Sequence, residues 1–252
     1  MKRSRLDSVV LLAIAAVVAS VAPCRGQAGD WISLLEGKDL SAWREPTADW
    51  RIVGEVFLSP TSASLLAWKP GTGVAVNGPK GRTKHLFTKL EHGDVEAHIE
   101  FTVSKGSNSG VYFQGRYEIQ VFDSWGAKEP QYSDCGGIYQ RWDKGKGYEG
   151  HAPRVNVARA PGEWQTFDVI FRAPRFDANG KKTANAVFVK VVHNGTVIHE
   201  NVEVTGPTRA AAFNDEKPVG PLMLQGDHGP VAYRNIRIRD WKPSASAGDK
   251  KL

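Results

Sequence analysis

The run Asn108-Ser-Gly-Val-Tyr-Phe-Gln-Gly-Arg-Tyr-Glu-Ile-Gln-Val-Phe-Asp123 is typical of two short strands, the second of which carries polar residues at alternate positions. Successive side chains of an extended chain point to opposite faces. One face is therefore predicted to be apolar, and it consists of Tyr117, Ile119 and Val121. The other face is polar, and it consists of Arg116, Glu118 and Gln120. A carboxylate, a carboxamide and a guanidinium in one row are groups that bind a polyol and move protons.

Strand signals also dominate the rest of the chain, where β-branched and aromatic runs alternate with clusters of Gly, Pro, Asn and Asp. Almost no helical pattern is present. Ten segments are predicted as strands: 50–58, 95–103, 110–113, 116–123, 136–139, 164–172, 186–193, 196–204, 222–225 and 231–241. Ten short strands of this kind favour an all-β sandwich or jelly roll.

The local pattern is clearest at His193-Asn194-Gly195-Thr196. Asn-Gly supplies the positive φ angles of a type I′ turn, so a hairpin is predicted there. Two longer stretches between strands are irregular. Residues 172–185 are predicted to form a long excursion, and residues 141–161 a lid or subsite loop.

The composition suits one or two soluble globular domains, with 252 residues, 41% of them hydrophobic and 24% charged. One domain over residues 30–243 is the simplest interpretation, with a disordered tail over 244–252. Residues 1–28 resemble a secretory signal peptide, with a basic start, an apolar stretch over 9–22 and a small-x-small site at 26–28. Pro23 before Cys24 argues against a lipoprotein. We therefore expect a periplasmic or extracellular protein with no membrane span in its mature form.

The charge argues against a nucleic-acid-binding protein, and the cysteine content argues against a disulfide-stabilised one. Removal of residues 1–28 takes away four basic residues and Asp7, a net +3, so the formal charge of +6 falls to about +3. The remaining basic residues are scattered, which argues against nucleic-acid binding. Cys135 would be the one cysteine left, so no intramolecular disulfide is expected, and it is predicted to be a small buried residue.

Seven pieces in order resemble the 3-keto-disaccharide hydrolase family, formerly described as a domain of unknown function. They are 31–43 (WISLLEGKDLSAW), 108–113 (NSGVYF), 117–123 (YEIQVFD), 137–139 (GIY), 161–167 (PGEWQTF), 194–195 (NG), and 222–229 (LMLQGDHG) with 234–236 (RNI). The resemblance spans nearly the whole predicted mature chain. It implies a two-sheet antiparallel jelly-roll sandwich of the concanavalin A-like lectin and glucanase type.

The resemblance also implies a reaction. The substrate would be an oligosaccharide or glycoside whose 3-hydroxyl a separate sugar oxidoreductase has oxidised to a ketone. That ketone acidifies the hydrogen on carbon 2, so a base can remove it, and the enolate can expel the glycosidic oxygen from carbon 1. Addition of water to the resulting enone completes net hydrolysis. The route needs a base, a clamp on the enolate oxygen and an acid, and it requires no nucleotide cofactor.

Glu118 is the leading candidate for the base or acid, because desolvation on a groove-facing strand can tune a carboxyl towards neutral pH. His228 is the second, since the glycines of Gln225-Gly-Asp-His-Gly229 let the backbone present an imidazole. Asp123 is a third candidate, although strict alternation puts it on the face opposite Glu118 unless a β-bulge intervenes. Predicted substrate-binding residues are Asn108, Arg116, Gln120, Trp125, Tyr139, Trp142, Gln225 and Arg234.

Two alternative functions stay open at this stage. A laminarinase-type retaining glycosidase would use Glu118 and Asp123 of the pattern Glu118-x-Gln120-x-x-Asp123, with carboxyl groups about 5–5.5 Å apart. Gln120 in place of the middle acid, and the short final side chain, argue against it. The other alternative is a non-catalytic, lectin-like carbohydrate-binding domain.

Two further expectations concern metals and tryptophans. Asp123, Asp134 and Asp227 could supply oxygen ligands to a structural calcium ion, although no dense Asp/Asn/Gly loop is present and no metal site is assigned. Four tryptophans are predicted to lie in the core because large aromatic rings dominate sandwich interiors: Trp43, Trp50, Trp164 and Trp241.

Overall fold

A computed structural model describes residues 29–35 and 38–243, and its regular elements are all β-strands. The predicted signal peptide over 1–28 and the predicted tail over 244–252 lie outside the described residues. Within the described ranges, no helix has the length and apolarity needed to cross a membrane.

Sixteen strands are present in the described part of the chain. They are β1 (Ile32–Ser33), β2 (Arg51–Ser59), β3 (Ser62–Val76), β4 (Leu86–His92), β5 (Val95–Val103), β6 (Asn108–Phe113), β7 (Tyr117–Phe122), β8 (Arg141–Asp143), β9 (Lys146–Tyr148), β10 (Gln165–Arg172), β11 (Arg175–Phe176), β12 (Lys182–Ala184), β13 (Ala186–His193), β14 (Thr196–Val204), β15 (Gly220–Leu224) and β16 (Val231–Asp240).

Two antiparallel sheets form the sandwich. The large sheet has the order β14-β13-β10-β5-β16-β3-β2, with β1 also paired to β16. The small sheet has the order β4-β15-β6-β7. Aromatic rings from both sheets meet in one core, as where Phe113 of β6 and Phe171 of β10 lie 5.2 Å apart between ring centroids. The predicted all-β, two-sheet antiparallel sandwich is confirmed.

The alternation predicted for β7 is confirmed by its burial. Tyr117, Ile119 and Val121 have no exposed surface and belong to the core. Glu118 and Gln120 point to the outer face of the small sheet, where both are only 3% exposed. Loops therefore cover this outer face, and a polar pair is buried beneath them.

The strand predictions were wrong in two regions. Residues 136–139 form no regular strand, because Ile138 makes only isolated bridges to Ile119 and His151. Residues 62–92, for which no strand was predicted, hold β3 and β4. The two irregular stretches contain short strand pairs, β8–β9 within 141–161 and β11–β12 within 172–185. The hairpin predicted at 193–196 joins β13 to β14, and Asn194 has φ 49°.

The core predictions hold for some of the residues. Cys135 is 1% exposed, and Trp43 and Trp50 are buried. Trp164 and Trp241 are only half-buried, and Trp164 packs at the edge of a smaller apolar cluster. These two rings correct the prediction that all four tryptophans lie in the core.

Asn77, which follows β3, ties the two sheets together at one end. Its side-chain amide donates to the carbonyls of Gly226 and Gly229 at 3.1 and 2.7 Å, and its carbonyl accepts from the Val231 amide at 2.9 Å. The side chain is 1% exposed. Asn77 therefore fixes the turn over residues 226–229 that connects β15 to β16.

We expect Asn77→Ala to lower the free energy of unfolding by about 2–4 kcal/mol, because it leaves buried backbone groups without partners. Urea denaturation measures the change. Asn185→Ala is the matched control, since the Asn185 amide donates to the exposed Glu203 carboxylate and its loss should cost under about 0.5 kcal/mol. Equal effects of the two substitutions would contradict this role of Asn77.

Candidate active site

A cavity of about 380 Å³ opens on the outer face of the small sheet. This volume lies within the range of small-molecule sites. Six of the eleven predicted site residues line it together: Asn108, Glu118, Gln120, Tyr139, Gln225 and His228. Three lining residues were not predicted: Tyr112, Arg209 and Ala210.

The register of the small sheet brings most of the lining residues together. Tyr112 of β6 lies directly opposite Glu118 of β7, and Gly110 lies opposite Gln120. Gln225 follows β15 and donates its backbone N–H to the Gly110 carbonyl at 2.9 Å. Directly opposed residues of an antiparallel pair share a face, so three neighbouring strands direct their side chains into one cavity.

Gly110 leaves room for the Glu118 carboxyl. A Cβ atom at position 110 would lie 2.2 Å from Glu118 Oε1 and 2.8 Å from Tyr112 Cε2. Both distances are far inside van der Waals contact, so any other residue would displace the carboxyl or the ring. The glycine in the middle of β6 is therefore explained by close approach of a side chain.

Burial raises the pKa of Glu118 to about 8. Loss of hydration is the largest cause, and the negative charge of Asp227 adds to it, whereas a hydrogen bond from Tyr112 acts in the opposite direction. The Glu118 backbone N–H donates to Thr208 Oγ1 at 3.1 Å, which holds the covering loop against β7. The site thus contains a carboxyl group that exchanges its proton near physiological pH.

Two carboxamide oxygens in the cavity have no hydrogen-bond partner within the described residues. Oε1 of Gln120 and Oε1 of Gln225 are both buried and unpaired. The Gln120 amide nitrogen donates to the Ser133 carbonyl at 3.2 Å, which fixes the orientation of that side chain. A buried acceptor without a donor costs about 1–3 kcal/mol. A ligand rich in hydroxyl groups would supply the missing donors.

His228 lines the cavity from the turn over residues 226–229. Its Nδ1 lies 2.5 Å from Asp227 Oδ1, which leaves Nε2 as the nitrogen able to meet a ligand. Asp227 also lies 3.9 Å from Nδ1 of His85. His85 Nδ1 accepts the Gly226 N–H at 3.2 Å, so the backbone of the turn is bonded to a neighbouring imidazole.

Arg209 and Tyr139 also line the cavity. The Arg209 guanidinium lies 3.9 Å from the ring centroid of Trp142, and its backbone N–H donates to the Gln140 carbonyl at 2.8 Å. Desolvation is the largest cause of a raised pKa at Tyr139, with the Glu118 charge adding to it and Arg209 opposing it. A cation and a phenol therefore stand at the cavity within electrostatic reach of each other.

Arg116 does not line the cavity, contrary to the sequence prediction. Its side chain is buried, and its guanidinium contacts Asp215 at 2.8 Å and the Gln114 carbonyl at 2.8 Å. The guanidinium also lies 4.8 Å from the centroid of the Phe213 ring. Arg116 precedes β7 and anchors the covering loop instead of facing a ligand.

Arg234 is placed on the other sheet, which corrects its prediction as a sugar-binding residue. It belongs to β16 of the large sheet, where its Nε donates to Glu100 at 2.6 Å. Its guanidinium lies 4.0 Å from the Trp164 ring centroid. The Arg234 guanidinium therefore contacts Glu100 and Trp164 on the outer surface of the large sheet.

Asp123, Trp125 and Trp142 also lie outside the cavity lining. The Asp123 carboxylate accepts the backbone N–H groups of Gly106 and Trp125 at 2.8 and 3.4 Å, so it caps a turn. Trp125 is 65% exposed. Trp142 lines a neighbouring cavity of about 360 Å³ that shares Arg209 and Ala210 with the first.

The acids considered for calcium are dispersed. Asp123 caps its turn, Asp134 accepts the Gln131 N–H at 2.7 Å, and Asp227 faces His228. Across the part of the chain that the structure describes, no group of three or more His, Cys, Asp or Glu residues is arranged to hold a metal ion. Calcium binding stays a prediction that no feature of this site supports.

The raised pKa of Glu118 predicts that the stability of the fold depends on pH. Below about pH 4.5 both the folded and the unfolded chain hold this proton, so there is no penalty. Between about 4.5 and 8 the unfolded chain releases the proton and the folded chain retains it, so burial of Glu118 increasingly destabilises the fold. Above about 8 the penalty is constant.

Glu118→Gln cannot ionise, so its melting temperature should rise relative to that of the wild type as pH increases from about 4.5 to 8. We expect a gain on the order of 10 °C at pH 8, measured by scanning calorimetry. The exposed Glu129→Gln variant should show no such trend. A Glu118→Gln difference that does not change with pH would show that Glu118 titrates normally.

Comparisons with known proteins also indicate a carbohydrate-active domain. The family model of the 3-keto-alpha-glucoside-1,2-lyase-like domain matches residues 30–239. A crystal structure of a candidate glycosyl hydrolase from Parabacteroides distasonis ATCC 8503 is 29% identical, with a TM-score of 0.62, and the match covers 84% of each chain.

A second crystal structure, also of a candidate glycosyl hydrolase from Parabacteroides distasonis ATCC 8503, is 22% identical and has a TM-score of 0.53. The match covers 84% of this chain and 100% of that one, and at this identity it shows the fold alone. No curated protein matches the chain in sequence. The chain therefore belongs to the 3-keto-alpha-glucoside-1,2-lyase-like family, whose domains are carbohydrate-active and similar to glycosyl hydrolases.

Proposed function

We propose that this domain cleaves 3-keto-glycosides by elimination across carbons 1 and 2, followed by hydration of the product. The observation that carries the proposal is the buried Glu118 carboxyl, whose pKa is raised to about 8 in a cavity lined by amide and phenol groups. A base for a hydrogen next to a ketone benefits from such a pKa, because basicity rises with it while the ionised fraction stays useful.

The chemistry balances with groups present in the cavity. Glu118 as carboxylate takes the proton from carbon 2, and the electron pair of that bond forms the enolate of the 3-ketone. Return of the pair makes a double bond between carbons 1 and 2 and breaks the bond from carbon 1 to the glycosidic oxygen. The leaving oxygen takes a proton from an acid. Water then adds to the enone, at carbon 1, to complete hydrolysis.

We assign the acid to His228, whose Nδ1 is bonded to Asp227 and whose Nε2 is left for the ligand. Arg209 and Tyr139 are the donors proposed for the enolate oxygen, because charge that develops there needs positioned donors in a site of low polarity. The unpaired oxygens of Gln120 and Gln225 would accept sugar hydroxyls. Arg209, and not Arg234, is thus the arginine proposed to contact the substrate.

Direct displacement has less support. A retaining glycosidase needs two carboxyl groups about 5–5.5 Å apart. Glu118 is the one carboxylate among the residues that line the described cavity, and Asp123 caps a turn elsewhere. Elimination needs only one carboxylate, so the proposed route uses the groups that are present.

The proposed reaction depends on one other reaction that precedes it. A sugar oxidoreductase must first supply the ketone at carbon 3, because an ordinary glycoside has no acidic hydrogen at carbon 2. We also keep the periplasm or the extracellular space as the proposed location, on the signal-peptide pattern of residues 1–28. The enone released by the first half-reaction is the species that hydration consumes.

Purified protein should release the aglycone from a 3-keto-glucoside, and Glu118→Gln should reduce kcat by about 10²–10⁴-fold. Glu129→Gln is the matched control on the exposed surface and should keep wild-type turnover. Substrate deuterated at carbon 2 should react more slowly or exchange its label with solvent. Binding of the sugar without any release by a folded protein would favour the lectin-like alternative instead.

The rate at which the carbon 2 hydrogen exchanges with solvent needs the base but not the acid, so it should rise with pH and level off above about pH 8, because the active form of Glu118 is the carboxylate and its pKa is raised to about 8. The measurement follows loss of deuterium from carbon 2 of the 3-keto substrate from pH 5 to 10. An exchange rate that falls as pH rises through 8 would instead make Glu118 the acid, and the roles of Glu118 and His228 would then exchange.

A further inference from the structure

A second and larger cavity, of about 950 Å³, adjoins the Glu118 cavity. The residues that matter for the following argument are Arg82, Lys84, His85, Phe87, Phe213 and Asp227. The proposed elimination uses none of them directly. The cavity is more than large enough for one further ring beyond the sugar.

The two cavities are lined by neighbouring residues of the same two chain segments. Asp227 lines the larger cavity, and the next residue, His228, lines the Glu118 cavity. On the other side, Ala212 and Phe213 line the larger cavity, whereas Ala210 of the same loop lines the smaller one. Asp227 also raises the pKa of Glu118 through its charge. The larger cavity therefore lies next to the Glu118 cavity, on the side where a group attached to a bound sugar would extend.

Aromatic side chains form one surface of the larger cavity. The rings of Phe87 and Phe213 lie 6.2 Å apart between centroids at an interplanar angle of 57°, and the His85 ring lies 6.5 Å from Phe87. Rings arranged in this way present edges and faces to a flat apolar group. A second sugar would meet few hydrogen-bond partners at these two phenyl rings.

Two cations of this cavity have no partner in the part of the chain that the structure describes. Arg82 and Lys84 make no side-chain ion pair or hydrogen bond there, whereas Arg44 is bound to Glu91 at 2.8 Å. The two acids of the cavity are already engaged, Asp227 with His228 and Glu45 with the Thr47 N–H at 3.0 Å. The lining carries three cations, Arg44, Arg82 and Lys84, against two carboxylates, so the cavity combines an aromatic surface with two cations that form no ion pair in the described residues.

We propose that the larger cavity is the subsite for the leaving group, and that it selects glycosides whose leaving group is a flat ring bearing an anionic substituent. This inference rests on the proposed function, because it assigns the other half of the same substrate. The ring packs against Phe87 and Phe213, and the anion binds Arg82 and Lys84. The sugar then lies over Glu118 with carbon 1 directed towards His228.

The test compares three 3-keto-glucosides, with methyl, phenyl and 4-carboxyphenyl leaving groups, in wild type and in Arg82→Gln/Lys84→Gln. Each ratio compares one substrate in two proteins, so differences in intrinsic reactivity cancel. We expect kcat/KM for the carboxyphenyl substrate to fall about tenfold more than kcat/KM for the phenyl or methyl substrate. Lys105→Gln/Lys190→Gln removes two exposed charges elsewhere and should leave all three values unchanged.

A separate binding measurement keeps this inference distinct from the proposed function. Calorimetry with 4-carboxyphenyl glucoside, which has no ketone, should show weaker binding to Arg82→Gln/Lys84→Gln than to wild type or the control. If the methyl and phenyl substrates react but the charged substrate gains nothing, the subsite is overturned alone. If no substrate reacts, the proposed function fails, and binding that is absent or unaffected by the two substitutions overturns the subsite as well.

Discussion

Burial of the Glu118 carboxyl on the outer face of the small sheet constrains much of the surrounding structure. The apolar side chains of β7 pack into the core and fix the strand, so the carboxyl has no freedom to move towards solvent. Gly110 leaves the space that the carboxyl fills. The backbone N–H of Glu118 donates to the hydroxyl of Thr208. A charge that is costly to bury persists only where packing on the opposite face offsets the cost.

The loops over this face are attached by buried polar residues. Arg116 is bonded to Asp215 and to the Gln114 carbonyl, which holds the loop that carries Arg209. Asn77 performs the same task for the turn that carries His228. Both anchors are buried and lie outside the cavity lining, so they contribute by holding the loops in place. The site is therefore built from a rigid sheet and two loops that are tied down at a distance from the ligand.

The sequence predicted the parts of this site that depend on local geometry. Alternation along β7 assigns Glu118 to the face opposite Tyr117 and Ile119 without reference to any other strand. The same logic, applied to the paired strand, would have found Tyr112, because it lies opposite Glu118 across a short turn. Arg209 carries no such signal, since its loop has no periodicity and its position depends on contacts distant in sequence.

The misplaced arginines show where local reasoning ends. Arg234 lies in β16, and nothing in an alternating strand reveals which of two sheets it joins. Arg116 follows the alternation, but a carboxylate 99 residues further along the chain occupies its guanidinium. A single sequence fixes faces and turns well, whereas sheet membership and long-range ion pairs depend on the whole topology.

A pKa of about 8 has an energetic consequence for catalysis by Glu118. At pH 7 only about one molecule in ten holds the carboxylate, which corresponds to about 1.4 kcal/mol to ionise the base. Binding energy from groups remote from carbon 2 can offset that amount, provided that it is realised as the transition state forms. Asp227 opposes ionisation of Glu118, and contacts of the leaving group in the neighbouring cavity are one source of the binding energy that offsets this cost. Binding of the leaving group in the aromatic and basic cavity would thus help to offset the free energy needed to ionise Glu118.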